Sequence, residues 1–378
     1  MKTRIINAHI VSPDVEIENG TLVIENGRIR EVVSGREVPE ADETIDAGGR
    51  YVMPGFFDIH CHGADRKDVC DNSVESLRHI AKTKLKEGVT TWLPTTLTQP
   101  QEKLEEIAGK CAEYMANQEF CRTPGLHVEG PFINVKNAGA QNPQFVRPPN
   151  FDELRRIHEI ASALIVSIAP DVEGANEVIA KAAELGIRSS AAHTSATAAQ
   201  VRDSIAAGLT HLTHFCNQMT PVHHREIGCV GMGLTDERLM LEVICDKIHL
   251  APEMLKLGFQ LVGIDRLMMI TDSMAASWMT AGEVSLGGLP VIVKDGKAVL
   301  KEGGALAGSA LKFNDGVKNI VEITGLPLHQ IVKATSWNQA QSLGLDGFGK
   351  IEPGFHADLA ILDKDFSVWK TLVGGEVR

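Results

Sequence analysis

The chain has 378 residues, of which 43% are hydrophobic and 23% charged, and its formal net charge is -12. This size predicts one large domain and a smaller one, and the negative charge argues against nucleic acid or an anionic membrane surface as the main partner. We find no signal peptide and no apolar run near the ~20 residues of a membrane span. The seven cysteines, an odd number scattered through apolar segments, predict reduced thiols in a cytoplasmic protein.

The N-terminal part of the chain predicts a small β unit. Strand patterns occupy residues 4–12 and 21–33, and Asn26 with Gly27 supplies the positive φ angles of a tight hairpin turn. Further short strands are expected at 44–47 and 50–53.

From residue 54 onwards, apolar strand patterns alternate with amphipathic helical patterns. Helices are predicted at 73–86, 101–118, 176–185, 198–207 and 252–258. The strands begin near residues 56, 90, 125, 164, 187, 211, 240 and 267. Such a series of βα repeats predicts a closed parallel barrel, and hence an α/β fold.

The C-terminal part of the chain returns to β patterns. A hairpin is predicted at 289–300 with Asp295–Gly296 as its turn, and helices follow at 312–324 and 329–341. Three strands are expected between residues 357 and 376. We therefore predict a small β domain from 1–53 and 343–378, beside a barrel domain at 54–342.

His60 and His62 close the first predicted barrel strand. Alternate residues of a strand face the same side, so both imidazoles can reach one metal ion while Cys61 points into packing. Taken alone, the pair could equally be two ordinary buried histidines that form hydrogen bonds and bind no metal. Four other barrel strands also end on titratable groups, which are Glu129, His193, His214 and Asp272. In barrel enzymes the catalytic groups come from the C-terminal ends of several strands.

These residue types suit a hydrolytic metal centre. Two imidazoles and a carboxylate bind Zn²⁺ and leave a position open for water. Glu129 can bridge this ion to a second one held by His60 and His62, and two ions ~3.5–4 Å apart clamp a hydroxide nucleophile. Asp272 is the expected general acid and base, which takes a proton from water and delivers it to the leaving amine. It also fits a metal ligand or a helix N-cap.

The remaining candidate histidines are interpreted differently. His127 shares the face of Glu129 one layer deeper, where a supporting or structural role is expected. His211 is three residues before His214 and faces the opposite side of its strand, so it is read as structural. His223 and His224 lie in a predicted loop, where they could equally be solvent-exposed residues without a role in the site.

Motifs along nearly the whole chain carry a family resemblance. Residues 54–63 read PGFFDIHCHG, residues 125–134 read GLHVEGPFIN, and residues 213–219 read THFCNQM. Two further matches are AHTSAT at 192–197 and LAGS at 306–309. These segments resemble the N-acetylglucosamine-6-phosphate deacetylase family of the amidohydrolase superfamily.

The resemblance implies a (β/α)8 TIM-like barrel with a small β-sandwich domain from both termini, commonly as a homodimer. It implies hydrolysis of the N-acetyl group of N-acetylglucosamine 6-phosphate in amino-sugar catabolism, with one or two divalent ions per chain. Zinc is expected, although the same ligands accept iron, manganese or cobalt.

The resemblance also implies roles for individual residues. Glu129, His193 and His214 match the main metal ligands, and Asp272 matches the catalytic acid and base. The sugar phosphate is expected to be held by Asn217, Arg225 and His249, in part across a dimer interface. The sugar site is expected to be lined by Ala138, Gly139, Leu306, Ala307 and Gly308.

Three positions depart from the family pattern. Gln141 stands where many members have a histidine that helps to polarise the acetyl carbonyl, and a second metal could take over that work. Gln218 is bulkier than the usual alanine of the substrate loop, and Lys247 replaces a common small residue. Three alternatives therefore stay open, namely N-acetylgalactosamine 6-phosphate, an unphosphorylated amide, and a non-enzymatic metal-binding scaffold.

Overall fold

The computed structural model describes residues 2–35, 40–294 and 296–378. Its strands are β1 (Lys2–Ser12), β2 (Val15–Glu25), β3 (Arg28–Ser34), β4 (Glu43–Asp46), β5 (Tyr51–Pro54), β6 (Phe56–Cys61), β7 (Gly63–Ala64), β8 (Lys67–Asp68), β9 (Val89–Pro94), β10 (Leu126–Glu129), β11 (Ala163–Ile168), β12 (Arg188–Ala191), β13 (Leu209–Leu212), β14 (Met240–Ile244), β15 (Leu267–Ile270), β16 (Gly282–Leu286), β17 (Leu289–Lys294), β18 (Lys297–Leu300), β19 (Leu359–Leu362), β20 (Val368–Val373) and β21 (Glu376–Val377). Its helices are α1 (Val74–Leu85), α2 (Gln101–Ala116), α3 (Phe151–Ala161), α4 (Ala175–Glu184), α5 (Ala198–Ala207), α6 (Gly228–Thr235), α7 (Pro252–Val262), α8 (Phe313–Thr324), α9 (Leu328–Val332) and α10 (Asn338–Ser342).

The two ends of the chain form one sheet. Its strands run in the order β21-β20-β19-β5-β1-β2-β3, with β4 added beside β1. The predicted hairpin turn is present between β2 and β3, where Asn26 and Gly27 have φ angles of 52° and 75°. Antiparallel pairing of β19 with β5 joins the C-terminal segment to the N-terminal one. The domain boundaries proposed from the sequence stay a prediction.

Eight parallel strands make the barrel. Strands β10 to β15 form one six-stranded sheet, and β6 pairs with β9 separately. Isolated bridges join the two pieces, from Thr95 to His127 on one side and from Cys61 to Ser273 on the other. The predicted (β/α)8 architecture is therefore confirmed, and its closure lies at two seams where the regular ladder is interrupted.

Apolar side chains form one layer of the barrel interior. One buried cluster unites Ile59, Leu93, Ile165, Ile244, Met268 and Ile270. They come from β6, β9, β11, β14 and β15, so they can meet only if they point inwards. The polar groups at the C-terminal strand ends therefore lie above an apolar layer of side chains, as in other barrels of this kind.

The helices between the strands follow local signals. Helix α1 begins after Ser73, whose side chain accepts a hydrogen bond from the backbone N–H of Ser76. Helix α5 has a reciprocal cap between Thr197 and Gln200, and its bounds agree with the prediction. Within the described residues, no helix is both long and apolar enough to cross a bilayer.

The hairpin predicted near residue 290 is part of a larger unit. Strands β17 and β18 pair as expected, and β16 adds a third antiparallel strand that the sequence pattern did not indicate. Asp295 of the predicted turn lies outside the described residues. This three-stranded sheet brings Leu286 to the rim of the cavity described below.

Candidate active site

The six predicted metal and catalytic residues lie together at the C-terminal end of the barrel, and all are at most 7% exposed. His60 belongs to β6 and Glu129 ends β10. His193, His214 and Asp272 each follow their strand by two residues and have positive φ angles of 43°, 34° and 50°. Such left-handed backbone is uncommon in residues other than glycine and gathers at functional sites.

A glycine directly follows His62, at the start of β7. A Cβ atom on Gly63 would lie 2.1 Å from the carbonyl oxygen of Lys67, so no other residue fits directly after His62. Cys61 points away from the site, as predicted, with its Sγ 3.3 Å from Ser273 Oγ.

One group of ligand atoms surrounds the first carboxylate oxygen of Glu129. Glu129 Oε1 lies 3.0 Å from His193 Nε2 and 3.1 Å from His214 Nε2. The two imidazole nitrogens are themselves 3.1 Å apart. Ligands of a tetrahedral zinc ion, each about 2.0–2.1 Å from the metal, are roughly 3.3 Å from one another. This triangle therefore has the dimensions of one face of a tetrahedral metal site.

A second group surrounds the other oxygen of the same carboxylate. Glu129 Oε2 is 3.2 Å from His62 Nε2 and 3.8 Å from His60 Nε2, and the two nitrogens are 3.2 Å apart. Asp272 Oδ1 lies 3.4 Å from His60 Nε2 and 3.2 Å from His62 Nε2. Glu129 thus offers one oxygen to each group, as a carboxylate does when it bridges two ions.

Contacts behind the imidazoles orient them towards the site. His193 Nδ1 is 2.8 Å from the carbonyl oxygen of Asn137, and His62 Nδ1 is 3.1 Å from that of Thr95. A carbonyl only accepts, so both Nδ1 atoms donate to it, and each ring directs its Nε2 into the site. An Nε2 that gives up its proton there can bind a metal. This arrangement is usual for histidines that bind metals.

The electrostatics of the site favour a cation. Burial alone raises the pKa of Glu129, but hydrogen bonds from His193 and His214 outweigh it and hold that pKa well below its usual value. Burial lowers the pKa of His62, yet its hydrogen bonds to Asp272 and Glu129 raise it to about 9. Lone pairs that face carboxylate oxygens need protons or metal ions between them, so the donor set fits divalent cations.

A cavity of about 260 Å³ opens above these groups. Its walls include seven of the predicted substrate residues, namely Gly139, Gln141, Asn217, Gln218, His249, Leu306 and Gly308. The other three do not line it. Ala138 and Ala307 are buried beside lining residues, and Arg225 lies on an exposed loop, with its guanidinium against His224.

The other candidate histidines belong to neither of these two ligand groups, although the ring of His127 lies 4.6 Å from that of His60. Both ring nitrogens of His127 are engaged, Nδ1 with the carbonyl of Ile59 at 2.9 Å and Nε2 with Ser167 Oγ at 2.8 Å. His211 is buried against Thr210, and burial lowers its pKa to about 3. His223 and His224 are exposed loop residues.

Several residues of the site were not predicted. Glu242, on β14, is fully buried, and its Oε2 lies 3.1 Å from His60 Nδ1. In the sequence, Glu242 stands out only as a single carboxylate inside an otherwise apolar strand. Leu97, Leu286 and Ala305 also line the cavity, and single apolar residues of this kind carry no recognisable sequence pattern.

Asp272 is held in place through its backbone. Its N–H donates to the carbonyl of His60 at 2.9 Å, and its carbonyl accepts from the N–H of Ser309 at 2.7 Å. On the next residue, the carbonyl of Ser273 accepts from the N–H groups of both His62 and Gly63. The carboxylate of Asp272 is therefore fixed relative to the first-strand histidines.

Comparisons with known proteins agree with this geometry. The chain is 35% identical to the N-acetylglucosamine-6-phosphate deacetylase of Bacillus subtilis, over 97% of this chain and 95% of that protein. It is 33% identical to the N-acetylgalactosamine-6-phosphate deacetylase of Escherichia coli O157:H7, with 95% and 96% covered.

A solved structure extends the comparison to the fold. The N-acetyl-D-glucosamine-6-phosphate deacetylase mutant of Mycobacterium smegmatis, in complex with N-acetyl-D-glucosamine-6-phosphate, superposes with a TM-score of 0.94 at 30% identity, covering 100% of this chain and 99% of that one. The amidohydrolase family model matches residues 51–378. The ligand clusters, the barrel and these matches lead to one conclusion: the chain belongs to the amidohydrolase family.

Proposed function

We propose that this protein removes the N-acetyl group of N-acetylglucosamine 6-phosphate, giving glucosamine 6-phosphate and acetate in amino-sugar catabolism. The observation that carries the proposal is the pair of ligand groups on the two oxygens of Glu129, under a cavity lined by Asp272. Relatives at 30–35% identity with this activity in their names support the choice of substrate.

The cofactor in this proposal is a pair of divalent ions. His193 and His214 would hold one, His60 and His62 the other, and Glu129 would serve both. Zinc fits the nitrogen and oxygen ligands best, and iron, manganese or cobalt would also be accepted. A bound divalent metal polarises the acyl carbonyl and lowers the pKa of the attacking water.

The proton transfers fall to Asp272. Its Oδ1 faces the nitrogen atoms of His60 and His62, and its side chain is on the cavity wall, where a water molecule and an amide can both reach it. Its carboxylate would take a proton from the attacking water and pass it to the amine nitrogen as the C–N bond breaks.

The sugar phosphate would lie at the outer part of the cavity. His249 Nδ1 is 2.7 Å from Asp246 Oδ2. Burial lowers the pKa of His249, but this contact with Asp246 outweighs it and raises the pKa. A raised pKa favours the cationic imidazole, which suits a phosphate, and Asn217 and Gln218 supply amide groups on the same wall.

The proposal includes a homodimer in the cytoplasm. Arg225 lies on an exposed loop and is not among the residues that line the cavity of its own chain, which suits a contribution to the site of a second copy. A guanidinium can grip a phosphate through two hydrogen bonds.

Acetate release from a panel of substrates tests the proposal. We expect the highest kcat/KM with N-acetylglucosamine 6-phosphate and a large loss for unphosphorylated N-acetylglucosamine. N-Acetylgalactosamine 6-phosphate is the second candidate, because the Escherichia coli relative is named for it. Preference for an unphosphorylated amide would contradict the proposal, and inactivity on all N-acetyl compounds with added metal would favour a non-enzymatic scaffold.

Metal removal gives a direct prediction. Prolonged dialysis against a chelator is expected to abolish acetate release, because a carboxylate alone cannot generate hydroxide at neutral pH. Adding Zn²⁺ or Mn²⁺ back should restore it as the ions return, and elemental analysis should give two ions per chain. Activity that persists in protein shown to be free of metal would contradict the assignment.

Arg225→Ala is expected to raise KM for the phosphorylated substrate about 10-fold or more, because a charged hydrogen bond is worth roughly 1.5–3 kcal/mol. It should leave the slow turnover of the unphosphorylated sugar unchanged. The matched control is Arg238→Ala, an exposed arginine paired with Asp236. An unchanged preference for phosphate in Arg225→Ala would show that this residue does not contact it.

A further inference from the structure

Gln141 makes a contact that its expected role in substrate binding does not explain. The side chain is only 4% exposed and lies between Thr98 and Glu129. Its Nε2 donates to Glu129 Oε2 at 2.8 Å, and its Oε1 accepts from the backbone N–H of Thr98 at 2.7 Å.

These two partners leave the amide one orientation. A backbone N–H can only donate, so the oxygen of the Gln141 amide must face Thr98. The NH₂ group is then directed at Glu129, where a carboxylate oxygen accepts it. Both ends of a buried amide are satisfied in this orientation, and a flipped amide would satisfy neither.

The contact is made to one particular oxygen. Glu129 Oε1 faces His193 and His214, whereas Oε2 faces His60 and His62 and receives the Gln141 amide. The terminal torsion of a glutamate is broad and fixes no orientation by itself. A directional hydrogen bond can therefore fix the orientation of the carboxylate between the two groups of histidines.

Gln141 is the donor that remains when the histidines act as ligands. Among the described residues, the side chain of Glu129 has hydrogen-bond contacts with His193, His214 and Gln141, and ion-pair contacts with His60 and His62. A histidine that binds a metal through Nε2 has no proton there to donate. A carboxylate oxygen has a second lone pair, so it can accept from Gln141 and still bind an ion.

We propose that Gln141 is a positioning residue that holds Glu129 Oε2 towards His60 and His62, and that it thereby sets the affinity of the ion bound there. The inference rests on the proposed two-ion function. It assigns Gln141 a role on the metal side of the cavity, in place of the acetyl contact that the family resemblance suggested.

Metal binding in Gln141→Met tests the inference. Methionine has nearly the same length and no donor, so one ion should bind about 10–100-fold more weakly, as is usual when a partner of a metal ligand is lost. The other ion, held with His193 and His214, should keep its wild-type affinity. The measurement is the ion content of purified protein after dialysis against graded concentrations of a chelator, with thermal unfolding as the check of folding.

The matched control is Gln99→Met. Gln99 also uses its amide to donate a hydrogen bond, to the carbonyl of Gly287 at 3.0 Å, but it does not touch Glu129. Both ions should bind to this control as they do to the wild type. Gln141→Asn is a second variant that keeps a polar amide one methylene shorter, too short to span both partners, and it should weaken the same ion.

The outcomes separate the inference from the function on which it rests. Unchanged affinity for both ions in folded Gln141→Met would overturn the inference alone. Equal weakening of both ions in Gln141→Met and Gln99→Met would mean general loosening and would also overturn it. A wild-type protein that binds a single ion would overturn the two-ion arrangement first, and the inference with it.

Discussion

Asp272→Asn is expected to lower kcat for deacetylation by about 10³-fold, within the range that general acid and base catalysis contributes. Asparagine keeps the shape of the side chain and one oxygen near His60 and His62, but it cannot accept a proton from water or pass one to the amine. Ion content should therefore stay at the wild-type level while turnover is lost. Acetate release and elemental analysis on the same preparation give both values.

The control for this substitution is Asp365→Asn, an exposed aspartate whose side chain accepts hydrogen bonds from the N–H and the Oγ of Ser367. It should keep full activity. Full activity in Asp272→Asn would refute the assigned role. A loss of activity that parallels a loss of metal would instead make Asp272 a ligand, which is the alternative that its contacts with His60 and His62 also allow.

Lys84→Met is expected to destabilise the protein by ~3–5 kcal/mol, as is usual when one partner of a buried ion pair is removed. Lys84 is fully buried, with its Nζ 2.5 Å from Glu87 Oε2 and 3.0 Å from Asp58 Oδ2. Burial alone would lower the pKa of this lysine, but Glu87 and Asp58 outweigh it and raise the pKa. Methionine would leave both carboxylates buried without a cation. The midpoint of urea unfolding, followed by circular dichroism, measures the effect.

The chain supplies a closely matched control. Lys110 pairs with Glu113 at the same spacing of three residues, at 2.9 Å, but this pair is exposed on α2. Exposed pairs contribute little, so Lys110→Met should leave the midpoint unchanged. Equal effects in the two variants would show that burial does not determine the contribution of the Lys84 pair.

Much of the barrel could be predicted from the sequence. Most barrel strands are short, largely apolar runs, and several of them are followed by a helix pattern, in some cases with a side-chain cap, as at Ser73 and Thr197. The site could be predicted by the same reasoning, because parallel strands bring their C-terminal ends together. Glu129, His193 and His214 were expected to meet for this reason, and they do.

Other parts of the structure have no local sequence pattern from which they could be predicted. Helix α6 reads GCVGMGLT and is buried on nearly every side, so it has neither an amphipathic face nor a cap. His193, His214 and Asp272 owe their directions to positive φ angles that long-range contacts impose. Glu242 reads as one more strand residue until His60, 182 residues away, is brought beside it. The amide of Gln141 likewise acquires its partners only in the folded chain.

Helix α3 was missed by the sequence analysis for a different reason. Asn150 caps it, and Leu154, Ile157 and Ala161 form its buried face. These signals were present in the sequence, and the helix was not predicted. The sequence pattern was sufficient to predict a helix at α3, whereas at α6 it was not.

The seam between β6 and β15 has a consequence for how this protein gains its activity during synthesis. The hydrogen bond from Thr271 Oγ1 to Asp58 Oδ2 crosses this seam and joins residues 213 positions apart. Contacts of such long sequence separation form late, because the loop that they close is costly in entropy. A nascent chain therefore carries five of the six metal and catalytic residues well before the sixth can reach them. Turnover is expected to appear only once the last barrel strand has docked, which makes catalysis an end-point reporter of complete folding.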